Sequence, residues 1–143
     1  MWSRALWAFT RIALSYRLRR AGDLSFDTQA IDGAECQRQS ASAFGLALWL
    51  KGADIQLLSG ALKEWVRTTP LGKRMACRFC PICGTRVFHQ MLGQSAIMSI
   101  KPGTLNDTKR LEPVAHIWAA SKHPWLEIPA GTLQFQEGPA SFE

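Results

Sequence analysis

The chain has 143 residues, 47% of them hydrophobic and 20% charged. This length supports one domain with a real core and is short for two. The composition excludes a disordered chain, and no apolar run approaches the ~20 residues that cross a bilayer. The net charge of +6 is concentrated at one end: Arg4, Arg11, Arg17, Arg19 and Arg20 all precede the first acid, Asp23. The remainder is close to neutral and carries no basic footprint for nucleic acid.

In chain order, residues 1–22 are acid-free and rich in Arg and Trp. Wound as a helix, they place Trp2, Ala5, Leu6, Phe9, Ile12, Ala13 and Tyr16 on one side and Arg4 and Arg11 opposite, although Trp7, Leu14 and Leu18 join the basic side. The segment reads as an appended amphipathic helix docked on the domain, as a mitochondrial or membrane-surface segment, or as a stretch that is not the ancestral start of the domain.

Residues 23–135 read as the domain proper. From residue 42 onward short apolar runs alternate with turn residues: "SAFGLALWL", "IQLLSG", "ALKEWVRT", "RVFHQML", "SAIMSIKPGTL", "PVAHIWAA", "WLEIPAG" and "TLQFQEG". Gly and Pro recur at the spacing of short strands joined by tight connections. The fold class is therefore mainly β. Residues 136–143, "QEGPASFE" with its neighbours, read as a solvated tail.

Three of the four cysteines fall in "CRFCPICG", at Cys77, Cys80 and Cys83; the fourth is Cys36. Cys80 and Cys83 form a CxxC closed by Gly84, the spacing with which two thiolates on one tight turn ligate a single zinc. Gly84 supplies the positive φ that such a turn requires. A thioredoxin-type redox pair has the same spacing but belongs at the start of a helix, and "GTRVFHQ" continues as a strand. Cys77 and Cys36 either join a four-thiolate site or are small buried hydrophobes. Clustered thiols without a secretory signal point to a reduced, cytoplasmic setting.

His89, His116 and His123 lack the i, i+4 pair or finger spacing of a metal motif. A histidine satisfied by a backbone hydrogen bond, rather than a ligand or base, is the expectation for His116. Trp49, Trp65, Trp118 and Trp125 sit in or beside apolar runs, as core or pocket wall. Nucleotide-binding loops, the GxSxG elbow and basic–aromatic strands for RNA are all missing.

Four stretches taken together, "CQRQSASAFGLALWL", "FCPICGTRVF", "SIKPGTLND" and "PVAHIWAASKHPW", resemble the glutathione-dependent formaldehyde-activating enzyme family, which includes the centromere protein V group. The resemblance covers roughly residues 35 to 130 and implies a zinc-binding Mss4-like, β-tent fold. It also implies a carbon–sulfur lyase activity of the S-(hydroxymethyl)glutathione synthase type, with a small thiol such as glutathione and an aldehyde, formaldehyde, as partners.

By the same resemblance, Cys80 and Cys83 match two of four ligands of a structural zinc, whose early CxC partners are missing. Cys36 matches the last thiol of a catalytic zinc site, and Ile31 and Gly33 stand where its other two thiols belong. The expected metal ligands are thus Cys36, Cys80, Cys83 and, as partial compensation, Cys77, with Cys36 also the catalytic thiol. Arg38, Gln39 and Ser40, beside Gln37, are the expected substrate-binding residues, and Phe44, Trp118 and Trp125 the pocket walls. The expected content is one zinc or fewer per chain, and two if the missing thiols lie upstream. The departures cluster in the first 35 residues, the mark of a replaced, mis-started or frame-disrupted N-terminal segment. The alternatives to an enzyme are a non-catalytic zinc or thiol-bearing β module that binds a partner, and an inactive family remnant.

Overall fold

A computed structural model of the chain describes residues 2–6, 15–19, 28–51, 55–94, 96–109 and 111–138, the first two segments as backbone alone. Among them, eleven strands form two sheets. The strands are β1 (Trp2–Leu6), β2 (Ser15–Arg19), β3 (Thr28–Ile31), β4 (Gly45–Lys51), β5 (Ile55–Ser59), β6 (Lys63–Thr68), β7 (Arg74–Phe79), β8 (Arg86–Met91), β9 (Ile97–Ile100), β10 (Ala115–Ile117) and β11 (Leu133–Phe135). One α-helix, α1 (Ala34–Ser40), joins β3 to β4.

The larger sheet has the order β11-β10-β3-β4-β9-β8-β7-β6. It is antiparallel except where β10 runs parallel to both β11 and β3. The smaller sheet, β1-β2-β5, is antiparallel. The mainly β expectation is met. Among the described residues no helix is long and apolar enough to cross a membrane.

Two local expectations are corrected. The helix expected over residues 1–22 is replaced at residues 2–6 and 15–19 by paired strands, Trp2 opposite Arg19 through Leu6 opposite Ser15. The physical reason lies in the pattern: Leu14 and Leu18 spoil the helical face, and aromatic residues suit a pleated surface at least as well. The rest of that segment lies outside the described residues. Conversely, α1 carries Cys36 on a helix that was not anticipated. Its seven residues are too few for a legible 3.6-residue period.

The ends of α1 explain its length. Gly33 is its N-cap, and Ala41 terminates it in the left-handed region at φ 49°. Ser40 Oγ donates to the Cys36 carbonyl at 2.7 Å, the bond back to residue i−4 by which a helical serine satisfies its own hydroxyl. Gln37 Nε2 donates to the carbonyls of Asp32 at 2.7 Å and Ser121 at 2.9 Å, so the helix is tied to the chain on both sides of it.

The apolar core is built by Leu48, Leu50, Cys80, Val87, Phe88 and Ile100, with Ile55, Leu62, Met98 and Leu105 packed against it. Leu48, Ile100 and Phe88 lie side by side across β4, β9 and β8. Burying each such side chain contributes about 1.5–3 kcal/mol, which is what fixes the register of these strands.

Candidate functional site

The CxxC turn closes the β7–β8 hairpin. Cys80 N–H donates to the Thr85 carbonyl at 2.8 Å and Gly84 N–H to the Cys80 carbonyl at 2.9 Å, with Gly84 at φ +73°. Both thiols are free; Cys80 is buried in the core cluster and Cys83 is exposed. Cys83 Sγ lies 3.1 Å from Thr85 Oγ1, and hydrogen bonding from Thr85, with a smaller contribution from Cys80, lowers the Cys83 pKa. The two cysteines thus lie on a strand-to-strand turn, one thiol buried in the core and the other exposed. Two thiols on one turn supply at most two of the four ligands of a tetrahedral zinc site.

Cys77 does not join that pair. It lies in β7, directly opposite His89 of β8, and its surroundings are Arg67, Arg86 and Lys101. Among the described residues no three His, Cys, Asp or Glu side chains converge to hold a metal ion. The single four-thiolate site held open by the sequence is accordingly not assembled.

A second cluster lies on the sheet face that carries Cys77. The row Trp65–Cys77–His89–Ser99–Trp49 runs across five strands in direct register, so these side chains share a face. Strand alternation puts Arg67 on the same face, and the pairing of Lys101 N–H with the Val87 carbonyl at 2.8 Å carries it on to Lys101. Helix α1 packs here. A β-carbon placed on Gly45, the first residue of β4, would stand 3.4 Å from Cys36 Cβ and 3.9 Å from Lys101 Nζ. The Arg86 guanidinium donates to Gln39 Oε1, which ties β8 to the helix.

Cys36, Cys77, His89 and Lys101 are all buried. Burial pushes the Lys101 ammonium down to about 8, with the Cys36 and Cys77 sulfurs opposing the shift and Arg86 and Arg67 adding to it. Burial, then the positive field of Lys101, Arg86 and Arg67, drives His89 down to about 2, so its imidazole is neutral. Burial raises the Cys77 thiol against the pull of those cations, and burial also lowers Arg86.

Of the expected substrate residues, Gln39 belongs to this cluster. Arg38 is exposed and paired with Glu35 at 2.7 Å, and Ser40 serves the helix end. Phe44 meets His116 edge-on at 5.8 Å, Trp118 packs on Gly33, and Trp125 is exposed and stacked on His123. His116 is satisfied by a side chain: Nδ1 lies 2.9 Å from Oδ2 of the fully buried Asp32. Sequence reasoning missed Lys101, Arg67, Arg86 and Asp32. For Lys101 a signal existed, a lone lysine closing the apolar strand "SAIMSIK".

The surroundings of Cys36 bear on the catalytic zinc that the resemblance implies. A dication at Cys36 would share its surroundings with an ammonium and a guanidinium, and Ile31 and Gly33 offer no thiol. The residues present do not fit zinc there. At Cys80 and Cys83 they fit half a site.

Residues 27–121 match the family model described as glutathione-dependent formaldehyde-activating enzyme. No curated protein matches the chain. Among solved structures, the crystal structure of a Rhodobacter sphaeroides protein, a structural-genomics target, is similar at a TM-score of 0.56 and 18% identity. The alignment covers 73% of this chain and 92% of that one, a likeness of fold.

Proposed function

We propose, from the premise that this chain belongs to the glutathione-dependent formaldehyde-activating enzyme family, that it handles adducts of a small thiol with an aldehyde, formaldehyde and glutathione being the pair the family name supplies. In the forward direction the thiol sulfur bonds to the carbonyl carbon, the C=O π bond opens, and the thiol proton ends on the new hydroxyl oxygen. Cleavage of the carbon–sulfur bond is the reverse.

The observation that carries this reading is the buried cationic cluster beside Cys36. Thiolate, not thiol, is the nucleophile, and the positive charges of Lys101 and Arg86 favour the charged sulfur of an incoming thiol. The same charges grip the carboxylates of a peptide thiol, with Gln39 adding an amide. No step is routed through zinc, which the Cys36 surroundings do not suit. Zinc enters only as a structural ion at Cys80 and Cys83. Four free thiols fit a cytoplasmic location, where they stay reduced.

The second reading, a non-catalytic zinc or thiol-bearing β module or inactive remnant, is favoured by one specific observation: Ile31 and Gly33 stand where the family resemblance would put two catalytic-site thiols. Exchange NMR of [13C]formaldehyde with glutathione separates the two. Catalysis predicts exchange that scales with protein concentration and drops at least tenfold in Arg86→Gln. Exchange equal to the protein-free rate supports the binding module.

A further inference from the structure

Lys101 Nζ, Arg67 Nε and Nη1, Gln39 Nε2 and His89 Nε2 are all buried and all lack a hydrogen-bond partner. Side-chain nitrogens left in this state are rare in folded proteins, because each forfeits its hydration with nothing in return. Here they are concentrated: two cations, an amide and an imidazole, with a third cation, Arg86, bonded to that amide's oxygen. Lys101 is only 9% exposed and His89 only 4%. Among the described residues the ion pairs are Arg38–Glu35, Arg78–Glu64 and His116–Asp32, and none of them neutralises Lys101, Arg67 or Arg86. Arg67 has only sulfur outlets, Nη2 to Met75 Sδ at 3.6 Å and the neighbouring Cys77 thiol, and Arg86 has the Gln39 oxygen.

The orphan groups have a common chemistry. An ammonium has only donors, and so does a guanidinium; the free atom of Gln39 is the donor end of its amide, the acceptor end being occupied by Arg86. The neutral His89 ring offers an N–H at Nε2 in one of its tautomers. What satisfies such a set is a compact group with several acceptor oxygens and negative charge. A metal cation does the opposite on both counts.

We propose that the cluster where α1 meets β6–β9, formed by Lys101, Arg67, Arg86, His89 and Gln39 beside Cys36 and Cys77, is a binding site for a small oxyanion. Its ligand is a tetrahedral inorganic oxyanion or the carboxylate of a small organic acid. Lys101 and the Arg67 fork are the principal donors, and Gln39 holds both Arg86 and the ligand. The site does not depend on the thiol–aldehyde reading, since an inorganic anion alone fills it.

The test is calorimetric and thermal titration of the full chain with sodium sulfate, sodium phosphate and sodium acetate, each against sodium chloride at matched ionic strength. The site predicts saturable binding, with a rise in melting temperature of about 5 °C near a hundredfold excess over Kd. Tighter sulfate or phosphate identifies an inorganic ligand, and tighter acetate identifies a carboxylate. Lys101→Met should weaken that binding at least tenfold, and Arg67→Gln, a second variant should the first misfold, should do the same. A non-saturating rise shared by wild type and both variants, or no heat of binding for any of the anions, overturns the proposal. Failure of the aldehyde exchange assay alone leaves it standing.

Discussion

Cys36 of α1 and Lys101 of β9's end meet at the same point on the sheet, over the bare α-carbon of Gly45, whose missing side chain would stand within 4 Å of both. The thiol expected to bind a dication is thus next to a buried ammonium. Coulomb repulsion between like charges a few ångströms apart amounts to several kcal/mol near a protein surface and more inside. That relationship makes the surroundings of Cys36 suited to an anion and unsuited to a dication.

Replacing Lys101 should stabilise the empty protein. Its pKa falls from 10.5 to about 8 in the folded state, about 2.5 units, and each unit corresponds to about 1.4 kcal/mol. Lys101→Met should therefore raise stability at pH 7 by up to about 3 kcal/mol. The sign follows from proton counts. Below pH 8 both states carry the charge and the folded state bears the full burden. Between 8 and 10.5 only the unfolded state keeps the proton, so the wild type regains stability as pH rises. Urea denaturation at pH 7 and pH 10 should show the variant's advantage at 7 and its loss at 10.

His89 acts on the acid side. Its folded pKa is near 2 against 6.5 for a free imidazole, so below pH 6.5 the unfolded state binds a proton that the folded state refuses. Stability falls as pH drops through that window, by about 2 kcal/mol at pH 5 from this one residue. His89→Gln should flatten the pH dependence between 7 and 5 by that amount, whatever it does to stability at pH 7. An unchanged slope would show that the ring is charged or solvated.

The cysteines separate by environment. Cys80 is in the apolar core cluster, where a serine hydroxyl finds no partner, whereas a serine at 77 sits beside the donors of Arg67. Cys80→Ser should cost about 1–3 kcal/mol and Cys77→Ser less than 1 kcal/mol. Equal melting shifts for the two variants would argue against the separate placement of the thiols.

Much of the architecture was legible in the sequence, and the limits have physical causes. The runs "GLALWL", "KEWVRT" and "RVFHQM" showed as strands because they are apolar or alternating and bounded by turn residues, and Gly84 marked its turn through its positive φ. The run "WLEIPAG" did not become a strand; Pro129 removes a donor there. The single-site reading of the cysteines failed because Cys77 and Cys80, three apart, straddle a bulge between Arg78 and Phe79 that separates a strand face from a turn. The cationic cluster was invisible because its members come from positions 39, 67, 86, 89 and 101, and only strand register brings them together.

Elemental analysis of zinc in protein purified without chelators bears on the exclusion of a dication from the Cys36 cluster. At most one zinc per chain is expected, held at the hairpin turn and absent when Cys80 and Cys83 are both changed to Ser. Two zinc per chain, or zinc retained by that double variant, would place a metal among the cations beside Cys36 and contradict that exclusion.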